Sequence, residues 1–230
     1  MWKVYVKSGL GPSTTYLPES LHFKYNKVPK SDVNSSLTEG FEVMTGAVDE
    51  VMGRLNLDAK DVDILLTSNS IFCHTPSLAS MLVNHYGMRS DVASYHCGGM
   101  GCSNGTIGVG LARDMLKAHP NSVCLLVFCE ILSHSIYLGF DKSRIVANVI
   151  FRMGGAAAVL SNRADLIRKA KYRLEHCVRC STAASDESFR SVKWGPDSDG
   201  FNGMYLDKSI IREAGICLEK CIRSITPKVA

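Results

Sequence analysis

No stretch of this sequence approaches about 18 uninterrupted apolar residues, so no membrane-spanning helix is expected from it. Charge of one sign is also scarce. The 26 Lys and Arg against 22 Asp and Glu leave a net charge of +4, with the two signs interleaved. No concentrated basic stripe results, and nucleic acid is not an expected partner. No charged n-region followed by an apolar h-region opens at Met1, so no secretory leader is read there. An even cysteine framework is missing too. The count is 9, with Cys124 and Cys129 inside an apolar run and Cys217 and Cys221 at the i, i+4 spacing of a helix face. Free thiols in a reducing compartment are the expected state. Cys177 and Cys180, taken with Cys217 and Cys221, are metal-ligand types. The helical spacing of the second pair on an apolar face favours core packing instead, and no metal is expected. No internal sequence repeat is evident.

What is present is ordinary globular material. The 230 residues are 46% hydrophobic and 21% charged, enough for one large domain or two small ones around a useful core. The densest basic run holds Arg163, Arg168, Lys169, Lys171 and Arg173. Its plain reading is a solvated loop; attraction to CoA phosphates or an anionic membrane is the sharper one.

The chain is organised around Tyr95-His96-Cys97-Gly98-Gly99-Met100-Gly101-Cys102-Ser103-Asn104-Gly105. Three glycines sit within the four residues before Cys102, as a sharp turn with close substrate approach requires. After it, Ile107, Leu111 and Met115 recur at i, i+4, i+8, a helical stripe. Cys102 would then lie at a helix N-terminus, where unpaired N–H groups favour a thiolate. That is the cysteine form of a nucleophile elbow. A buried, inert cysteine in a glycine turn is the plain alternative.

Along the chain, residues 2–6 read as a short strand or tail, and residues 12–30 as a surface loop. Ser35 or Ser36 would cap a helix through about Leu55, with Leu37, Phe41, Met44, Val48, Val51 and Leu55 as its buried stripe. Residues 62–67 form a strand buried on both faces. Thr75 would cap the next helix, with Pro76 at its first position and Leu78, Met81, Leu82 and His85 inward. Residues 91–96 are the strand before the elbow, 122–129 a central strand ending at Glu130, 136–150 loop and short helix, and 155–160 another buried strand. Residues 172–178 read as a strand, 181–203 as a hairpin or lid-like loop, and Asp207 would cap a helix carrying Ile210, Ile211, Ala214, Leu218 and Ile222 on one face. Strands alternating with helices indicate an α/β protein with parallel or mixed sheet.

Gly98-Gly99-Met100-Gly101-Cys102-Ser103 resembles the nucleophile motif of plant-type 3-ketoacyl-CoA synthases, the thiolase-superfamily condensing enzymes of very-long-chain fatty acid elongation. Lys7-Ser8-Gly9-Leu10-Gly11 with Thr15-Tyr16-Leu17-Pro18-Glu19 resembles the family's opening block. So do Thr75-Pro76-Ser77-Leu78, then Asn148 with Phe151-Arg152-Met153-Gly154-Gly155-Ala156-Ala157, and Tyr172-Arg173-Leu174-Glu175-His176-Cys177-Val178-Arg179 for later blocks. The resemblance, which keeps family order over nearly the whole chain, implies a thiolase-like α/β fold. Residues 1–162 would form one complete βαβαβαββ-type half carrying the elbow, and residues 163–230 the beginning of a second half.

It also implies an acyltransferase. Cys102 would accept an acyl group from a long-chain acyl-CoA and condense it with malonyl-CoA; both are substrates, and no cofactor is expected. The family's catalytic His and Asn lie in its C-terminal half, beyond the residues present here, so neither is assigned. His176 matches a recurrent family histidine, but Ser181 stands where the pattern has a second one; surface or loop packing is the plainer reading. His96 precedes the elbow at a position usually filled by Asn. His74, His85, His119 and His134 have no arguable partner, and Asn148 is expected to fix a loop by hydrogen bonding. A homodimer paired through the strand before the nucleophile is expected. So is a place on the cytosolic face of the endoplasmic reticulum membrane, although no spanning helix is read here. The alternatives are a truncated, non-condensing relative that binds acyl groups or a partner subunit, and a chalcone-synthase-like polyketide synthase.

Overall fold

A computed structural model describes residues 1–11 and 16–229. In chain order the elements are α1 (Trp2–Lys7), α2 (Val33–Leu55), β1 (Ile64–Asn69), α3 (Leu78–Tyr86), β2 (Ala93–Gly98), α4 (Asn104–Ala118), β3 (Val123–Cys129), α5 (Lys142–Ile150), β4 (Gly155–Ser161), α6 (Asp186–Arg190), β5 (Val192–Pro196), β6 (Asn202–Leu206) and α7 (Ile210–Val229). Contacts divide the chain into two units. One is Leu17–His134 with Met153–Arg173; the other is Met1–Tyr16, Ser135–Arg152 and Leu174–Ala230.

The larger unit is a four-stranded sheet in the order β2-β1-β3-β4. β1 pairs in parallel with β2 and β3, and β4 closes the sheet antiparallel to β3. Every residue of β1 is buried. Leu65 and, on β3, Leu125, Val127 and Cys129 point into a core with Met44, Val48 and Met52 of α2 and Leu78, Ala79 and Leu82 of α3. Ile64, Leu66, Cys124 and Leu126 point the other way, onto Ala112 and Leu116 of α4. With helices on both faces, neither strand alternates polar with apolar; β3 is a continuous apolar run, and β1 is apolar over Ile64, Leu65 and Leu66 before its buried Thr67, Ser68 and Asn69.

Several local expectations are corrected. Trp2–Lys7 is a helix, not a strand, and the sheet has four strands, one fewer than a βαβαβαββ count. α2 is capped by Asp32, whose Oδ1 accepts from Ser35 N at 3.0 Å, so the helix starts earlier than Ser35. α3 is capped by Ser77, whose hydroxyl accepts from Ser80 N at 3.1 Å, not by Thr75. His85 is exposed, its ring edge-on to Phe41 at 4.8 Å. The buried stripe of α4 is Asn104, Gly108, Ala112 and Leu116, one position on from Ile107, Leu111 and Met115. Close approach decides this phase: a Cβ on Gly108 would stand 2.9 Å from Phe128 Cε1, so the small side chains face the sheet. Residues 172–178 form no strand, and Tyr172 is 92% exposed.

In the smaller unit, α5 packs on the β5–β6 hairpin. Arg144, nearly buried, donates to Asp141 and, at 2.9 Å, to the Pro196 carbonyl, and lies 5.6 Å from the Tyr205 ring centroid. Tyr137 donates its hydroxyl to Asp197. Residues 181–203, read as a hairpin or lid-like loop, hold α6 and most of a hairpin that runs on to Leu206, and Asp207 accepts from Ser209 N at 2.9 Å at the start of α7. No helix among the described residues is long and apolar enough to cross a membrane.

Glu39 of α2 is fully buried, and its two oxygens accept from Leu132 N at 2.8 Å and Ser133 N at 2.7 Å. Burial raises its pKa, against the pull of those N–H groups. A carboxyl raised in the folded state contributes stability that is fully present below its unfolded pKa, about 4.3, and is lost as pH rises through the folded pKa. Denaturant titrations across pH should therefore show stability falling above that unfolded value, with a flatter profile in Glu39→Gln. Glu39→Ala should cost about 2–4 kcal/mol, because two buried N–H groups lose their acceptor. A loss within 0.5 kcal/mol of zero would deny the clamp.

Candidate active site

β1, β2 and β3 are parallel, so Asn69, Gly98 and Cys129 reach the same edge of the sheet. Open α/β sheets bind ligands beyond that carboxyl edge. The chain leaves β2 through Gly99 (φ +72°), Met100 and Gly101 (φ +67°). Both glycines hold left-handed conformations that cost an L side chain about 1–2 kcal/mol. Cys102 follows in a single 3₁₀ turn, Gly101–Ser103, and is exposed directly before α4. Ser103 does not cap α4; its hydroxyl donates backward to Met100 O at 2.9 Å. The amino terminus of α4, which favours nearby negative charge, thus has no side-chain acceptor from its N-cap residue. The elbow expected from the glycine spacing is present.

Polar residues from neighbouring loops hold it. Glu130, at the end of β3, accepts from Ser70 N at 2.8 and 3.2 Å and from Ile71 N at 3.3 Å. Burial raises the Glu130 pKa, and these N–H groups oppose that rise. Ser70 O in turn accepts from Gly99 N at 3.1 Å. Buried Asn104 donates to Cys97 O at 3.3 Å and Ser70 Oγ at 3.5 Å. Asn69 donates to Cys129 O at 3.2 Å and accepts from Phe72 N at 2.7 Å. Sequence reasoning noted Glu130 only as a strand end and missed Asn69 and Ser70. The available signal was the switch from apolar to polar residues where two buried strands stop.

His96 lies with its Nδ1 2.8 Å from Thr67 Oγ1, while Nε2 is buried without a partner; burial lowers its pKa. His176 is exposed in the coil after β4. His74 Nδ1 is 2.9 Å from Pro76 O, and its ring stacks on Phe72. Burial also lowers the His134 pKa, and His119 is exposed. Asn148 does fix a loop, pairing with Tyr137 N at 3.1 Å and Tyr137 O at 2.8 Å. Thr15 of the opening block lies outside the described residues.

The family described as FAE1/Type III polyketide synthase-like protein matches residues 1–230. The chain belongs to this family. Among curated relatives it is similar to Arabidopsis thaliana 3-ketoacyl-CoA synthase 4, 40% identical over 227 residues, covering 99% of this chain and 43% of that protein. It is also 36% identical to Arabidopsis thaliana 3-ketoacyl-CoA synthase 7, covering 99% of this chain and 48% of that protein. The chain therefore spans about half the length of the curated relatives it matches. Germicidin synthase from Streptomyces coelicolor, a type III polyketide synthase, superposes with a TM-score of 0.66 at 22% identity, over 94% of this chain and 53% of that one. CsyB, solved with CoA-SH, gives 0.70 at 16% identity, over 96% and 62%. These likenesses identify the α/β, thiolase-like fold of the FAE1/type III polyketide synthase group.

The family member's nine thiols should sort by exposure. Burial pushes Cys124 up to about 12, and burial with the charges of Glu39 and Glu130 raises Cys129 further. Burial raises Cys97 as well. Brief iodoacetamide treatment at neutral pH with peptide mapping should label Cys102 first and Cys124 and Cys129 last. Preferential labelling of exposed Cys73, with Cys102 untouched, would count against an activated elbow.

Proposed function

We propose that this chain carries the nucleophilic part of a 3-ketoacyl-CoA synthase, with Cys102 as the acyl acceptor. The observation that carries the reading is the exposed Cys102 in a glycine turn at the carboxyl edge, directly before α4. The 40% identity to a 3-ketoacyl-CoA synthase supports the reaction class. In the first half-reaction the Cys102 thiolate attacks the acyl-CoA carbonyl, the bond from carbon to the CoA sulfur breaks, and CoA leaves and is protonated. In the second, malonyl-CoA loses CO2 and its carbanion attacks the acyl-cysteine, forming the new C–C bond and releasing Cys102. The groups that stabilise this carbanion are assigned to no residue of this chain. A polyketide-synthase reading is supported by the family description and by likeness in fold at 22% identity, and the sequence likeness to 3-ketoacyl-CoA synthases favours elongation.

The same reading places the protein at the cytosolic face of the endoplasmic reticulum membrane, as a homodimer that needs no metal or organic cofactor. β2 supports the dimer: among the described residues it is an edge strand with one side of its ladder unpaired, and Ser94 and Tyr95 are exposed. Such an edge is covered or it aggregates.

Two measurements test these statements. Incubation with a long-chain acyl-CoA should raise the protein mass by one acyl group and release one CoA, and Cys102→Ala should abolish both. Acylation that persists in Cys102→Ala would remove the nucleophile assignment. Light scattering at micromolar concentration should give the mass of a dimer, and Tyr95→Lys should shift it toward monomer. A wild-type protein that stays monomeric would remove the β2 interface.

A further inference from the structure

α7 carries two different faces. One is used within the chain. Ile210, Cys217 and Cys221 are half-buried on it, and buried Glu213 accepts from Ser188 Oγ. The other face is bare. Ile211, Leu218 and Ile222 are 82%, 62% and 52% exposed, and with Gly215 they recur at steps of four, three and four. That is the spacing of a coiled-coil seam. Helical geometry sets this seam roughly a third of a turn around the axis from the packed face. Gly215 has no reason inside the chain. A Cβ there would meet no described atom within 4 Å, and glycine weakens a helix interior. Glycine suits a position where another backbone or a large side chain comes close. Beside Leu218 it makes a notch and a knob on one seam.

We propose that α7 pairs antiparallel with α7 of a second copy, Leu218 of each chain seated over Gly215 of the other. In this register Ile211 packs on the partner's Ile222, and Leu218 on the partner's Gly215. Charge selects it. Arg212 and Glu219 flank the seam on the side away from the packed face. The antiparallel register sets Arg212 beside the partner's Glu219, and the two-fold axis repeats that pair. A slip of one heptad would instead set Glu219 beside the partner's Glu219. A parallel pair would set Glu219 beside the partner's Ala214 and lose both charge pairs. Arg212 and Glu219 stay 59% and 60% exposed in their ion pairs with Glu187 and Arg223, so both are reachable. Exposed ion pairs contribute little strength, so they set orientation while the apolar seam supplies the attraction. The contact runs from Ile211 to Ile222, about 18 Å of helix. An interface that small is weak and transient, formed only at high concentration.

Sedimentation of the full chain from micromolar to high micromolar concentration is the test. The mass should double across that range, starting from whatever species is present when dilute. The doubling therefore stands or falls apart from the β2 interface. Gly215→Ala should leave the melting temperature unchanged or raised, yet shift the doubling to about tenfold higher concentration. Glu219→Lys should weaken association similarly, and Arg212→Glu added to it should restore association to within about threefold of wild type. Ala214→Cys under mild oxidation should give an interchain disulfide that maps to Cys221, and adding Cys221→Ser should remove it. A mass that stays constant across the range overturns the proposal. So does a Gly215→Ala chain that associates like wild type, or a charge exchange that restores nothing. Capture of the seam by neutral lipid vesicles without any doubling overturns it as well.

Discussion

One half-buried carboxyl group, Glu130, holds the loops at the carboxyl edge of the sheet together. Burying a charge is costly unless it is paired or hydrogen-bonded, and Glu130 meets that cost by accepting from Ser70 N and Ile71 N. Those bonds fix the loop that leaves β1. That loop offers Ser70 O to Gly99 N and Ser70 Oγ to Asn104, one on each side of Cys102. The left-handed turns at Gly99 and Gly101 are thus determined from β1 and β3 as well as by their own sequence. The opposite edge of the sheet has a similar arrangement. Asp63 accepts from Val123 N at 2.7 Å and from Arg89 at 2.9 Å, and Asn162 donates to Leu116 O at 2.6 Å. Both ends of the sheet are thus closed by polar side chains that hydrogen-bond to backbone groups of neighbouring strands and loops.

What was legible in the sequence follows from how local its cause is. β1 and β3 read correctly because burial on both faces favours apolar runs over alternation. The elbow read correctly because only glycine takes left-handed turns cheaply, and the spacing of Gly99 and Gly101 before Cys102 needs no distant partner. The start of α2 was misread by a few residues because Asp32, Ser35 and Ser36 are all good capping residues, and the choice depends on geometry. The phase of α4 was misread for a subtler reason. Its larger apolar side chains flank the contact, while Gly108 and Ala112 form it, since a helix that must approach β3 closely presents small residues. The strand expected at residues 172–178 has the composition of a strand but no ladder among the described residues. The Glu130–Ser70 clamp was invisible, since its partners are 60 positions apart and neither type announces the other.

Cysteine use shows the same division between local and distant causes. Cys124 and Cys129 behave as small apolar side chains whose burial suppresses thiolate formation. Cys102 is set apart by exposure and by the helix that follows it. The i, i+4 spacing of Cys217 and Cys221 was right about the helix, and both thiols are half-buried on α7.

The elbow also bounds where specificity can reside. Germicidin synthase shares this fold at 22% identity, and the Arabidopsis 3-ketoacyl-CoA synthases match the same residues at 36–40%. A cysteine presented before a helix at a carboxyl edge suits any acyl-thioester exchange, since attack on the carbonyl is the same whatever chain follows it. Glu130, Ser70 and Asn104 hold the turn that presents Cys102, so under the proposed reaction they bear on how the thiol is presented. The choice among acyl groups must then come from side chains that touch the rest of the acyl chain. If the proposed acyl transfer holds, substitutions along the edge clamp slow every acyl donor alike, whereas a change of donor preference arises away from the residues that hold the turn.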